Sequence, residues 1–334
     1  MQKKILITGA SGFIGSFIVE EAINRNYNTF AGIRSSSSKA FLQNTDLKFV
    51  DLNYSSDESM DESLLKYVSE YGKFDYIIHN AGLTKAKKNE DYFTVNFDNT
   101  KRFVEALIRN NLVPEKFVFI SSLASFGPSL TLDPISSTQE KNPLTAYGRS
   151  KLKAEEFLFS TTNFPFIIIN PTAVYGPREK DAFLLIKTIA KGLEVYIGDK
   201  KQMLSFIHVH DLVQAIYIGL ESEVINKNLI ISDTKVYNPK LFNDIIKQAL
   251  NKKTISFTIP KFILKTFTSI FESIGKIKGE VPILNNERLK EFEAFNWNVN
   301  CNEIVSLGFS PKYFLENGIP QTIEWYKENG WLKK

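Results

Sequence analysis

The first half of the chain alternates short apolar runs with stretches whose apolar residues recur every three or four positions. The run "KILIT" (4–8) is β-branched and stops at a glycine cluster, as a buried strand does. The next stretch, "FIGSFIVEEAINRN" (13–26), carries Phe13, Phe17, Ile18 and Ala22 at helical spacing. The same pattern predicts strands over 28–34, 47–52, 74–82, 116–122 and 164–171. Helices are predicted at about 58–71, as one long helix over 91–111, and over 145–160. Near-continuous apolar strands alternating with helices indicate an α/β protein with a doubly wound parallel sheet covered on both faces.

The second half is less regular. The stretch 205–222, "SFIHVHDLVQAIYIGLES", predicts one further strand and helix, and "EVYIGDKK" (194–201) a strand and a turn. Residues 261–275 place Ile263, Leu264, Phe267, Ile270, Phe271 and Ile274 on one helical face. That face suits packing on the core or a lid over an apolar substrate, with contact to a membrane surface as the alternative.

Composition narrows the class without naming it. Of 334 residues, 43% are hydrophobic and 23% charged, which is ordinary for a globular protein. The 41 basic and 37 acidic residues leave a net charge of +4. The lysines are dispersed, so no nucleic-acid partner is expected. The one cysteine, Cys301, excludes an internal disulfide; it reads as a small filler in a protein of a reducing compartment. The apolar run near the start is too short for a leader, and no run approaches the ~20 residues of a membrane span. A soluble cytoplasmic protein is expected. His79, His208 and His210 are the only histidines. Strand alternation would put His208 and His210 on one sheet face, yet no third ligand stands beside them, and no metal site is expected.

Candidate chemistry begins at "TGASGFIG", which sets Gly9, Gly12 and Gly15 between the first strand and the first helix. In that context Gly9 makes the tight turn, Gly12 lets backbone approach a pyrophosphate, and Gly15 lets helix and strand pack closely. The helix start supplies unpaired N–H groups and the positive end of a dipole. This makes the sheet Rossmann-type and the ligand a nicotinamide dinucleotide. Ser11, Phe13 and Ile14 complete the loop contacts, and Asp51 and Leu52 follow the third strand, Asp51 placed to accept from an adenine amino group. The second strand ends at Arg34 with Lys39 behind it and no acid. A basic residue there suits a 2′-phosphate, so NADP is the expected cofactor and NAD the alternative. The expected division is a nucleotide-binding domain over 1–172, to which 204–233 returns, and a smaller, mostly helical substrate-binding region over 173–203 and 234–334.

Two tyrosines precede a lysine by four residues: Tyr147 and Lys151 in "YGRSK", Tyr196 and Lys200 in "YIGDK". The first pair lies in a predicted helix and shares one face. An ammonium there, with a positive nicotinamide ring, brings a phenol that ordinarily titrates near 10 into working range as an acid/base. Ser122, at the end of the strand before it, is the candidate to steady a substrate oxygen. The second pair encloses Gly198 and Asp199. That is turn chemistry, so its side chains need not share a face.

The motifs "TGASGFIG", "HNAG", "SSLASFG", "YGRSK", "NPTAVYGP" and "FIHVHDL", in this order and spacing, resemble the extended short-chain dehydrogenase/reductase superfamily, which includes the NAD-dependent epimerases/dehydratases. The resemblance runs over nearly the whole chain. It implies that Ser122, Tyr147 and Lys151 are the catalytic triad, Ser122 rather than Ser121 because it lies five before Gly127. It also implies that Ala81 and the segment from Pro171 to Val174 line the nicotinamide pocket, and that a homodimer forms through the helices at 91–111 and 145–160. Sugar-nucleotide 4,6-dehydratases of the family carry a Thr-Asp-Glu set where this chain has Ser122-Leu123-Ala124. Many of its sugar-nucleotide epimerases carry a phosphate-clamping arginine where this chain has Leu204. With Arg34 and the apolar stretch 261–275, these departures lean towards dihydroflavonol-4-reductase-like and 3β-hydroxysteroid dehydrogenase-like members. The leading expectation is therefore a reductase or dehydrogenase acting on a carbonyl/alcohol pair, with Thr84 a further substrate contact. An NDP-sugar epimerase with retained NAD is the alternative, and a non-catalytic NAD(P)-binding sensor the third reading.

Overall fold

The computed structural model describes residues 2–197, 199–259 and 286–333. The predicted amphipathic segment 261–275 lies outside the described residues. Strands β1 (Lys4–Thr8), β2 (Asn28–Gly32), β3 (Lys48–Val50), β4 (Tyr76–His79), β5 (Lys116–Ile120) and β6 (Phe166–Pro171) assemble from the first half of the chain. With β10 (Lys227–Ile231) they form a seven-stranded sheet in the order β3-β2-β1-β4-β5-β6-β10. Every pairing in it is parallel. Sheet strands stop short of the apolar runs that predicted them, because their last residues leave the ladder to build the loops above it.

Strand alternation sorts the core into two layers. Ile5, Ile7, Val118, Ile120, Ile167 and Ile169 point to one face, where α1 (Phe13–Asn24) and α7 (Val209–Glu221) cover them. Leu6, Phe117, Phe119 and Ile168 point to the other, beneath α2 (Asp57–Tyr71), α4 (Asn99–Arg109) and α5 (Ala146–Ser160). A third apolar cluster unites Tyr175, Ile186, Phe206, Tyr237, Ile319 and Tyr326. It is built from α6 (Lys180–Ala190), α8 (Pro239–Leu250) and α11 (Leu315–Glu328). Two short parallel pairs accompany it: β7 (Ala173–Tyr175) with β9 (Phe206–His208), and β8 (Leu193–Ile197) with β11 (Ile255–Ile259). Helices α9 (Asn286–Glu293) and α10 (Asn302–Ser306) complete the described elements.

The predicted helix over 91–111 is not continuous. Its first turns are α3 (Asn89–Phe93), then a π-helical turn spans Thr94–Asp98, and α4 follows. The extra residue in that turn carries Asn96 into the interior, where it is fully buried. Such insertions arise where a side chain has a partner worth distorting the helix for. His208 and His210 are not alternating residues of one strand either: β9 ends at His208 and α7 begins at Val209.

Candidate active site

Strand order reverses between β1 and β4, so their following loops part and leave a crevice at the carboxyl ends of the strands, where open α/β sheets bind ligands. The glycine loop crosses it. Gly9 has φ of +65°, and a Cβ there would lie 2.8 Å from the backbone of Asn80 and Ala81 in the loop after β4. A Cβ on Gly15 would sit 2.1 Å from the Gly9 carbonyl oxygen, so the start of α1 is pressed onto the loop. Gly12 is exposed at the N-cap of α1. No side chain caps that helix, and its first turn holds no acid. The free donors and open backbone fit a pyrophosphate. Ser11, Phe13 and Ile14 are half-buried around it.

Beyond the end of β2, Arg34 is exposed and its N–H donates to Ser37 Oγ. Asp51 Oδ2 accepts the N–H of Ser35 at 3.0 Å. The carboxylate thus stands beside the end of β2, where the sequence itself shows no acid. Leu52 is buried in the second core layer, so that it can meet a ligand only through its backbone. Lys39 is drawn onto the Phe49 ring, 3.9 Å from its centroid.

The reacting end is built where α5 meets β5. A Cβ on Gly148 would lie 2.3 Å from the Ala124 carbonyl oxygen. Only glycine lets the first turn of α5, with Tyr147, approach the 3₁₀ turn Leu123–Ser125 that Ser122 caps. Ser122 Oγ accepts the Ala124 N–H, which leaves its own proton to donate. Tyr147 is half-buried and packs edge-on against Tyr92, ring centroids 5.9 Å apart. Lys151 is 4% exposed, and its Nζ donates to the Ile120 carbonyl oxygen at 2.8 Å. Burial pushes this ammonium down to about 8, against the pull of the Glu155 carboxylate one helical turn on. Nζ also lies close to Gly82, where a Cβ would come within 3.3 Å of it. Ser122, Tyr147 and Lys151 are therefore gathered around the carboxyl end of β5, facing the loop that holds Ala81. Ala81 N–H donates to Thr8 Oγ1. Pro171 ends β6, and Val174 lies in β7. Thr84 is exposed on the loop after β4, its carbonyl facing the Tyr92 hydroxyl.

Three supports escaped the sequence reading. Asn96 accepts the Leu83 N–H at 2.7 Å and donates from Nδ2 to the Leu83 carbonyl and to Ser150 Oγ. It pins the loop after β4 to α5. Glu155 is buried and accepts from Ser121 Oγ, from Ser125 Oγ at 2.8 Å and from Asn170 Nδ2 at 2.7 Å. Lys141 supplies its counter-charge. Asn170 also donates to the Ser122 carbonyl. This polar knot fixes the Ser122 turn against α5. His79 is the third: Nδ1 meets Thr8 Oγ1 at 2.8 Å and Nε2 meets Thr100 Oγ1 at 3.0 Å. Burial, aided by the Lys151 charge, holds its imidazole neutral, down at about 3. His79 showed itself only as a polar residue ending an apolar run, and Asn96 and Glu155 stand among other polar residues with nothing local to mark them.

Tyr196 and Lys200 form a different arrangement. Tyr196 is buried in β8 and donates its hydroxyl to Glu194. Burial and that carboxylate push the phenol up to about 12. The two side chains meet all the same: Lys200 Nζ lies 4.0 Å over the ring, on its face and not at its oxygen. His208 and His210 stack near Tyr313. Among the described residues no three His, Cys, Asp or Glu side chains gather as a metal set, and no helix is long and apolar enough to cross a membrane.

The chain is 26% identical to the N-acetyl-alpha-D-glucosaminyl-diphospho-ditrans,octacis-undecaprenol 4-epimerase of Escherichia coli O157:H7, over 97% of this chain and 96% of that one. It is 22% identical to the ceramide reductase of Caulobacter vibrioides, over 99% and 96%. Its fold matches the UDP-glucuronic acid 4-epimerase of Bacillus cereus, solved in complex with NAD, with a TM-score of 0.75 at 19% identity, covering 98% of this chain and 99% of that one. The model of the NAD dependent epimerase/dehydratase family matches residues 5–231, a span that holds the glycine loop, Ser122, Tyr147 and Lys151, and the chain belongs to that family.

Proposed function

We propose that this protein is a 4-epimerase of a sugar carried on a diphosphate, working with retained NAD. The observation that carries the reading is the end-to-end likeness to a 4-epimerase of a diphosphate-linked sugar, in a chain that keeps Ser122, Tyr147 and Lys151 together. It reverses the order of the two readings drawn from the sequence, which put the reductase first. The cofactor preference turns with it. The Asp51 carboxylate beside Ser35 would repel a 2′-phosphate and can accept from a 2′-hydroxyl.

When bound, the nicotinamide supplies the acceptor and later the donor of one hydride. The chain's residues handle the proton and the geometry. Tyr147, as phenolate beside the Lys151 ammonium, takes the proton from the C4 hydroxyl. Ser122 donates to that oxygen throughout. Once the 4-keto sugar has turned over in the site, Tyr147 returns the proton to the oxygen as the other epimer forms. The start of α1 binds the cofactor pyrophosphate, and Asn96 and Glu155 hold loop and helix in register for these transfers. A homodimer through α4 and α5 belongs to the same reading.

Acid extraction of the purified protein tests it. Stoichiometric NAD in the extract is expected. An empty protein that NADPH stabilises against heat more than NADH defeats this reading and restores the reductase, for which exposed Arg34 at the end of β2 is the supporting feature.

A further inference from the structure

The two most exposed large apolar side chains among the described residues are neighbours on one loop: Leu130 is 89% exposed and Leu132 72%. The loop is not loose. Buried Asn296 donates from Nδ2 to the carbonyls of Thr131 at 2.8 Å and Asp133 at 3.0 Å. Backbone bridges join Ser129 to Asn296 and Ile135 to Val299 at its two ends. A clamped loop that holds two leucines in water is a feature of a binding surface. Phe292 and Phe295, 47% and 41% exposed, stand on the segment that leads into Asn296. The Gln202 amide holds the carbonyls of Phe292 and Ala294, which sets exposed Lys200 and Lys201, against Asp199, beside them.

The patch borders the active site from two sides. Its loop continues from the Ser122 turn through Gly127. The Phe292 helix, α9, carries Glu291, which accepts from Thr145 Oγ1 at 2.8 Å, and Thr145 is the N-cap of the helix that bears Tyr147. At the position where an arginine would clamp a nucleotide's phosphates, Leu204 packs with the third apolar cluster, its backbone paired to Tyr237.

We propose that Leu130, Leu132, Phe292 and Phe295 seat the mouth of the active site on an anionic lipid bilayer, so that the diphosphate-linked sugar is presented by a lipid carrier in the membrane instead of a nucleoside. The inference rests on the epimerase reading above. Leucine and phenylalanine enter the acyl boundary, while Lys200 and Lys201 meet anionic headgroups.

The test uses the purified full chain and extruded phosphatidylcholine vesicles, with and without phosphatidylglycerol. Co-sedimentation is expected, stronger with the anionic lipid. The double variant Leu130→Ser/Leu132→Ser should bind roughly tenfold or more weakly with an unchanged melting temperature, since both side chains are exposed. Phe292→Ser, made separately, gives the same readout should the first variant misfold. A wild-type protein that stays in the supernatant, or variants that sediment as before, overturns the proposal. So does gel filtration showing an oligomer that the double variant dissociates, which would make the patch a protein interface. Vesicle binding needs no turnover, so its loss leaves the epimerase reading standing. An extract without NAD sinks that reading whatever the vesicles show.

Discussion

The chain contains the same two residue types at the same spacing twice, and the fold treats them in opposite ways. Tyr147 and Lys151 lie on α5 above the carboxyl end of β5, with the lysine buried, its ammonium donating to a main-chain carbonyl and lying 4.8 Å from the centre of the Phe119 ring. Tyr196 and Lys200 lie at the end of β8, where the hydroxyl is spent on Glu194 and the ammonium, still exposed, lies over the ring face. Burial lowers the lysine of the first pair to about 8, and burial with a carboxylate raises the phenol of the second to about 12. In the proposed mechanism the first environment prepares a proton to move; the second ties its phenol to a carboxylate. Spacing supplies the reach between two groups. Whether they do chemistry depends on what occupies their remaining hydrogen-bonding capacity.

The contrast can be broken most directly by removing each phenol. Tyr147→Phe should lower turnover by roughly 10²–10⁴-fold while leaving bound nucleotide in place. Tyr196→Phe should leave turnover within about threefold. Equal losses in the two variants, measured as epimerisation rates, would collapse the distinction.

Stability against pH reports the desolvation of Lys151. The Lys151 ammonium titrates near 8 in the folded protein, below its ordinary 10.5. Between those values the unfolded chain binds a proton that the native site does not, so folding becomes more favourable as pH rises through the window. Wild type should gain up to about 3 kcal/mol over Lys151→Met from pH 8 to 10.5, read from urea midpoints at each pH. A constant difference would show that Lys151 is not desolvated.

The same sign is expected at the second pair, but in an acid window. Glu194 is buried, which opposes its charge. Donors from Ser256, Tyr196, Lys247 and Thr254 outweigh that and draw it down to about 2. Its folded-state value lies below its unfolded one, so its contribution is complete above about 4.5 and fades as pH falls towards 2. Glu194→Gln should cost roughly 2 kcal/mol at neutral pH and flatten that acid limb in chemical denaturation. Tyr196→Phe removes one donor to the carboxylate and should cost about 1–2 kcal/mol. Lys200→Ala, an exposed cation over a ring, should shift stability by no more than about 1 kcal/mol. A larger loss in the melting curve would assign Lys200 a role beyond that contact.

Much of the molecule was legible before its structure. Continuous apolar runs and period-3.6 patterns are local, so "KILIT" and "FVEALIRNN" declared strand and helix by themselves. Glycine spacing likewise declared a turn that needs positive φ, which Gly9 has. Motif order sufficed for the family. The residues that complete the site were not legible, because each owes its role to a partner remote in sequence. Asn96 looks like a polar residue on an amphipathic helix until the π turn delivers it to Leu83 and Ser150. Glu155 looks solvated until Lys141 and Asn170 converge on it. No acid ends β2, yet Asp51 reaches there from β3.

The sequence by itself determined the sheet, its covering helices, the glycine loop and the residue types available for proton transfer, since propensity and periodicity act over a few neighbouring residues. Tertiary structure decided which Tyr–Lys pair is poised, which carboxylates are spent, and that two leucines stand in water beside the site. Those outcomes depend on desolvation and on hydrogen bonds closed between distant segments, and neither exists until the chain has packed.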